Sequence, residues 1–299
     1  MSNNLFGRSW KVQVDTLDVS NLDLEFRVKR DLKQTPNSCL LSIWNLSKDH
    51  RSQLLKRNRP NDQTKLVGVP VKIEAGYINN TSVIFTGDLS EVSSVLDDTD
   101  WKTNLSSEDG GRALREARIN QSFGKGMPIS QVVTQIINEM KVGVGNALKE
   151  VSNKVLGKSV GETTVHTLTV SGSASKHFDR IMQSAGLTWS IQNGVLQVLG
   201  PNGSLEQEAV LISPSTGLIG SPESSIDSTV TQGNAAAGST STHPGVIKMK
   251  TLLIPGLVPG RKITLQSAAF NGGYVITEVE YIGQSWSNQW ECNLIARIY

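Results

Sequence analysis

NLDLEFRV, residues 21–28, decides the fold class: Leu22, Leu24, Phe26 and Val28 alternate with Asp23, Glu25 and Arg27. Successive side chains of a strand point to opposite faces, so this run sets one face on a core and the other in water. Upstream, Trp10, Val12 and Val14 alternate with Lys11 and Gln13 in the same way. Downstream, residues 38–46 (SCLLSIWNL) are more continuously apolar, which predicts a strand covered on both sides. Ser47 reads as the N-cap of a short helix, SKDHRSQLLKR, with Leu54 and Leu55 predicted on its buried face and Pro60 and Asn61 closing it. Strands return at 69–77 (VPVKIEAGY), 82–87, 90–96 and 101–106. The first hundred residues read as one small barrel or sandwich with a single helix.

The middle of the chain changes period. Glu108, Asp109, Gly110 and Gly111 mark a turn into a helix, GRALREARI. Residues 128–141 follow with Pro128 at the start and Ile129, Val132, Val133, Ile136, Ile137 and Met140 at three- and four-residue spacing, which predicts an amphipathic helix. The stretch 143–163 carries no clear period. Beyond it lie a strand (HTLTVSG), a helix from Ser173 to Gly186, and a hairpin in which Asn193-Gly194 joins LTWSIQ to VLQVL. Asn-Gly between two alternating runs is a strong hairpin signal, because both turn residues need positive φ. Trp189 is expected in the core of this compact α/β insert, against Phe178, Ile181 and Met182.

The last hundred residues are again strands, at 209–213, 246–254, 262–267, 273–283 and 290–299. Between the first two, residues 224–244 (SSIDSTVTQGNAAAGSTSTHP) contain no Lys or Arg and almost no large apolar side chain. Such a composition buries too little surface to offset ordering entropy, so a mobile insertion is expected there. The organisation is β, α/β, β: domains at 1–107, 108–200 and 201–299, the last carrying the insertion at 224–244.

Composition narrows the function. In 299 residues, 29 Lys and Arg face 27 Asp and Glu, a net charge of +2, so no dense basic face is available to hold nucleic acid by counterion release. Two cysteines make neither a disulfide framework nor a cysteine-only metal site. The start, MSNNLFGRSWKVQVD, has no apolar segment of a secretory signal, and no run of about 18 apolar residues predicts a membrane span. Synthesis in a cytoplasm is therefore expected.

Fragments that imitate catalytic motifs fail on their surroundings. Gly157-Lys158-Ser159 resembles the end of a phosphate-binding loop, but Ser152 stands where that loop needs glycine, and Val160, Gly161, Thr163 and Thr164 do not open a helix. Gly124-Lys125-Gly126 precedes a helix without the third glycine of a dinucleotide fingerprint. His50, His166, His177 and His243 share no metal-ligand spacing, and Cys39 and Cys292 fall at strand positions, where a thiol behaves as a small hydrophobe. The pairs Asp97-Asp98 and Glu108-Asp109 read as ordinary turn acids. No catalytic, cofactor-binding or metal-binding residue is assigned.

A set of segments in fixed order carries more information than any motif alone. They are VIFTGDLSEVSS (83–94), DWKTNLSSEDGGRALREARINQSFGKGMPISQVV (100–133), SASKHFDRIMQSAGLTWSIQNGVLQVL (173–199), AVLISPSTGLIGSPE (209–223), and the closing GVIKMKTLLIPGLVPGRKITLQS, NGGYVITEVEYIG and WECNLIARIY. In order and wording these resemble the baseplate hub (tail-tip hub) proteins of tailed bacteriophages and related contractile injection particles. The likeness covers about two thirds of the chain and is weakest over the first eighty residues. Residues 224–244 resemble an insertion between SPE and the strand at Gly245, and 143–163 fits the family pattern poorly.

The resemblance implies a mainly β protein in which two small tail-tube-like β-barrels flank a compact α/β domain. It implies a non-enzymatic virion component: a homotrimer that presents six tube-like units and so adapts a six-fold tail tube to a three-fold central spike. Its expected partners are itself, the tail tube protein, the central spike protein, the tape measure protein and other baseplate proteins, with DNA passing through the channel without sequence-specific binding. No cofactor is implied. A near-neutral surface suits a wall along which DNA must move. Within the insertion, Ser225, Asp227, Thr231, Asn234, Ser239 and Thr242 are the expected partner contacts. Two other readings are a hub with accessory peptidoglycan-degrading activity and a β-rich carbohydrate-binding module.

Overall fold

The alternating run becomes a strand, Leu24–Asp31, whose Leu24, Phe26, Val28 and Arg30 are buried while Arg27 and Lys29 face water. A computed structural model describes residues 5–57, 68–152, 154–155, 158–159, 164, 166–200, 202–225 and 245–298. The first part holds β1 (Arg8–Val14), β2 (Leu17–Asp18), β3 (Leu24–Asp31), β4 (Asn37–Trp44), α1 (Lys48–Arg57), β5 (Pro70–Tyr77), β6 (Asn80–Asp97) and β7 (Asp100–Asp109). The middle holds α2 (Gly111–Glu116), β8 (Arg118–Phe123), α3 (Ile129–Met140), α4 (Ala147–Ser152), β9 (Lys154–Val155), β10 (Lys158–Ser159), β11 (Leu168–Ser173), α5 (Ala174–Ser184), β12 (Thr188–Gln192) and β13 (Val195–Leu199). The last part holds β14 (Val210–Ile212), β15 (Leu218–Ser225), β16 (Val246–Leu252), β17 (Lys262–Gln266), β18 (Asn271–Gln284) and β19 (Trp290–Ile298).

Strands from both ends of the chain form one sheet in the order β15-β16-β19-β18-β3-β4-β7-β6-β5-β1-β2. The join is β18. One of its edges carries β19; the other carries β17 along Asn271–Val275 and β3 along Glu278–Gln284, with a register shift between Ile276 and Glu278. A bulge there lets one long strand serve two neighbours, since the extra residue bends the strand and raises its twist. The fold is mainly β.

One core belongs to the whole sheet. Phe26, Leu41, Ile73 and Phe85 from the first part pack in the same cluster as Tyr281, Trp290 and Leu294 from the last. Trp290 lies 5.4 Å from Phe26 edge-on and 5.7 Å from Trp10, and its indole N–H donates to Gly76 O at 3.2 Å. Gly283 is required by that packing, because a Cβ there would meet Phe26 Cζ at 2.3 Å and Trp290 Cζ3 at 2.7 Å. The second core is confined to the middle part: Phe123, Val133, Ile137, Phe178, Met182 and Trp189. Trp189 is buried as expected, edge-on to Phe178 at 5.0 Å, with its N–H donating to Asp179 Oδ1 at 3.1 Å. Ser173 caps α5, its Oγ accepting from Lys176 N at 3.5 Å.

Several local expectations need correction. β4 is covered on one side only: Leu40 is 54% exposed, because Ser38, Leu40, Ser42 and Trp44 all point to the solvent face. On α1, Leu54 is buried but Leu55 is exposed, as adjacent helix positions lie about 100° apart. Residues 82–87 and 90–96 are one 18-residue strand, β6, with a register shift between Leu89 and Glu91. Glu108 and Asp109 finish strand β7 instead of forming a turn, and the turn begins at Gly110 (φ 76°). The insertion starts later than expected, since Ser224 and Ser225 are paired with Ile247 and Val246 at the end of β15.

Candidate functional site

Where the middle part meets the sheet, a buried polar junction replaces apolar packing. β3 delivers Arg30 and Asp31, β4 delivers Asn37, β7 ends on Asp109, and the β12–β13 hairpin supplies Gln192, Asn193 and Gly194. Asn193 and Gly194 adopt φ of 53° and 75°, the paired left-handed conformation of a tight hairpin turn. That turn aims two successive amides at one carboxylate. Asn193 N donates to Asp109 Oδ2 at 2.5 Å, and Gly194 N donates to Asp109 Oδ1 at 2.7 Å. Asn37 Nδ2 donates to Asp109 Oδ2 at 3.2 Å and to Ile191 O at 2.7 Å.

Arg30 completes the network, donating through Nε to Gln192 Oε1 at 3.1 Å and through Nη1 to Ile84 O at 3.1 Å. Gln192 Nε2 donates in turn to Asp31 O at 2.7 Å, and Thr86 N donates to Asn193 Oδ1 at 3.0 Å. Burial pushes the Asp109 carboxyl above its ordinary range, opposed by the Gly194, Asn37 and Asn193 donors and the nearby Arg30 charge. Burial lowers Arg30, and the Tyr281 and Asp109 charges work the other way. A satisfied network of this kind fixes orientation: its donors and acceptors fit in one arrangement, and losing a partner strands a buried group. It is a positioning device for the middle part.

The opposite end of the same strands is apolar. Asn37 and Asp109 begin β4 and end β7, whereas Trp44 and Lys102 lie at the far ends of those two strands, facing each other. There Trp44 meets Trp286 edge-on at 4.6 Å, Lys102 Nζ sits 4.7 Å from the Trp44 ring, and Arg51 stacks 3.9 Å from the Trp101 ring. Trp286 is 50% exposed, and Leu96, paired with Trp101, is 58% exposed. The Arg8 guanidinium donates to Ser287 O and lies over Trp290. Exposed aromatic clusters of this sort mark contact surfaces.

Of the expected partner contacts, Ser225 ends β15 opposite Val246, while Asp227, Thr231, Asn234, Ser239 and Thr242 lie outside the described residues. His50 and His166 are exposed, His177 bonds Ser171 O at 3.0 Å, and His243 is outside the described residues. Burial drives both thiols up, Cys292 to about 12 and Cys39 further, so neither is a ready nucleophile. Among the described residues no group of three or more His, Cys, Asp or Glu could hold a metal ion, and no helix is long and apolar enough to cross a membrane. Sequence reasoning missed Arg30, Asn37, Asp109 and Gln192; the one available signal was polar residues at inward positions of alternating strands.

The model of one protein family, described as baseplate hub gp41, matches residues 10–293. The chain belongs to the baseplate hub gp41 family. Solved structures share the fold along nearly the whole chain. The tail protein of Neisseria meningitidis MC58 matches with a TM-score of 0.64 and 10% identity, over 98% of this chain and 97% of that one. The 43 kDa tail protein of prophage MuSo2 from Shewanella oneidensis matches with a TM-score of 0.62 and 7% identity, over 97% and 98%. The E. coli c3393 protein, described as a component of the type VI secretion system, matches with a TM-score of 0.61 and 12% identity, over 97% and 77%. At such identities these likenesses speak for the fold alone. No curated protein sequence matches this hub chain significantly.

Proposed function

We propose that this hub protein assembles as a homotrimeric ring that joins a six-fold tail tube to a three-fold central spike and surrounds the channel for DNA and the tape measure protein. The observation that carries the reading is the run β15-β16-β19-β18-β3-β4-β7-β6, eight neighbouring strands drawn from both ends of the chain. Among the described residues, β15 pairs only with β16, and Glu91–Asp97 of β6 pairs only with β7. Two different free edges favour head-to-tail contacts, which close into a ring. Three copies would place 24 strands about 4.8 Å apart, a circumference of roughly 115 Å and a diameter of roughly 37 Å. Side chains would leave roughly 25 Å, room for one nucleic-acid duplex.

In this reading 1–107 and 201–299 are two tube-like units and 108–200 is the inserted domain. The separate core of the middle part supports that division. The aromatic rim faces a neighbouring ring, and the insertion that follows Ser225 touches the tail tube or another baseplate protein in the virion. The role is structural and non-enzymatic. The mass of the purified protein in solution tests the assembly: a trimer is expected, and a monomer across a wide concentration range overturns it. A zymogram on peptidoglycan and binding to a glycan array should both be blank. Clearing of the gel would establish the accessory lytic reading.

A further inference from the structure

We infer that the solvent face of the eight-strand run is the channel wall, and that its cross-strand ion pairs prevent a passing polyanion, double-stranded DNA, from sticking to it. This rests on the hub reading. The register sets Lys248 and Lys250 of β16, Glu291 and Asn293 of β19, Glu278 and Glu280 of β18, Arg27 and Lys29 of β3, Ser38 and Ser42 of β4, and Asn104 and Ser106 of β7 on one face. Three cations there are tied to carboxylates on the adjoining strand, Lys250 to Glu291 at 2.9 Å, Lys29 to Glu278 at 2.9 Å and Arg27 to Glu280 at 3.3 Å, while Lys248 is set opposite Glu223 of β15 and Lys102 lies over the Trp44 ring. Asn293 also donates to Glu280, at 2.9 Å, and Ser42 donates to Asn104 at 2.8 Å.

The arrangement is a stripe of paired charge beside a stripe of uncharged side chains, in which exposed Leu40 sits between Ser38 and Ser42. Duplex DNA carries one negative charge per about 1.7 Å, so it adheres wherever cations are free to displace its counterions. A carboxylate beside each of these three cations removes that gain. Trp101 falls on the same side of β7 as the inward Thr103 and Leu105, whereas Trp44 lies on this face at its far end, where it meets the exposed Trp286.

The test uncovers three cations without adding any. Glu278→Gln, Glu280→Gln and Glu291→Gln together free Lys29, Arg27 and Lys250; Glu74→Gln, Glu116→Gln and Glu206→Gln free Lys72 on β5, outside the run, and Arg112 and Lys149 beyond the sheet strands. Wild-type hub should not retain a short DNA duplex, whereas the face variant should. Each protomer's three freed cations should contribute about −2.7 to the log–log salt slope, an affinity loss of roughly 40-fold per engaged protomer between 50 and 200 mM salt. In assembled tails the face variant should slow DNA exit by about tenfold or more, and the off-face variant should leave exit at the wild-type rate. Equal effects of the two variants, or normal exit through tails that contain the face variant, would overturn the wall assignment. Should the triple variant misfold, Ser38→Lys with Ser106→Lys adds cations to the neutral strands and must slow exit likewise. Failure of the hub reading is distinguishable, because then even the wild-type protein is absent from purified tails.

Discussion

The sheet and the middle part bury their apolar side chains by opposite routes. The middle core is assembled from residues 113–198, with α5 packed on the hairpin that directly follows it. The sheet core joins Val12 to Ala296, and its central pairing sets Val28 against Tyr281. Local contacts cost little loop-closure entropy, whereas a strand pair spanning most of the chain forms only when everything between has been accommodated. The sheet should therefore be the all-or-none unit, and the middle part the one that can loosen by itself.

The largest effect should come from Trp290→Ala, which empties the point where Trp10, Phe26 and Gly76 converge. We expect a loss near the top of about 3–5 kcal/mol, with one cooperative transition for the whole sheet. Separate transitions for the two ends in a denaturant titration would break the picture of a shared core. Trp189→Ala should cost less within the same range of about 3–5 kcal/mol, since the smaller middle core can relax around the gap. Hydrogen exchange should quicken in α5, β12 and β13 while β3 and β18 stay protected. Uniform acceleration would mean that the two regions unfold together.

Asp109→Asn sharpens the comparison at the seam. Asparagine cannot accept from both turn amides, and we expect about 1–3 kcal/mol, read as faster exchange of the Asn193 and Gly194 amides. The wild type should also respond to pH in a way the variant does not. Burial raises the folded-state pKa of Asp109, so its contribution is complete below the unfolded value of about 3.9 and is lost as pH rises through the folded value. The stability difference between wild type and Asp109→Asn should fall across that window. Gly283→Ala probes overpacking at the sheet and should cost about 1–3 kcal/mol, measured as a lowered Tm. Smallest is Lys29→Ala, which removes an ion pair with the lysine half-exposed and should change the denaturation midpoint by less than about 1 kcal/mol.

What was legible in the sequence tracks these differences. The α3 stripe of Val132, Val133, Ile136, Ile137 and Met140, the Asn193-Gly194 turn and the buried Trp189 are all short-range patterns, and each appears where expected; the helix read from Ser173 to Gly186 spans Ala174–Ser184, with Ser173 as its cap. The alternation at 22–28 likewise established a half-buried strand. The candidate site was mostly illegible. Asp109 reads as a turn acid because nothing within a few residues shows that a hairpin more than eighty positions later will point two amides at it.

By itself the sequence determined most strands and helices outside 143–163, where the hairpin turns, and through the order of its motifs which family this is. Those features are written in periods of two and 3.6 residues and in turn chemistry, all local properties of the chain. Only the tertiary structure decided that the two ends share one sheet, that Leu40 and Leu55 face water, and that Arg30 and Asp109 are buried together. Each depends on which strand lies alongside which. Strand partners are chosen by complementarity across the whole fold, and no window of sequence contains both sides of that choice.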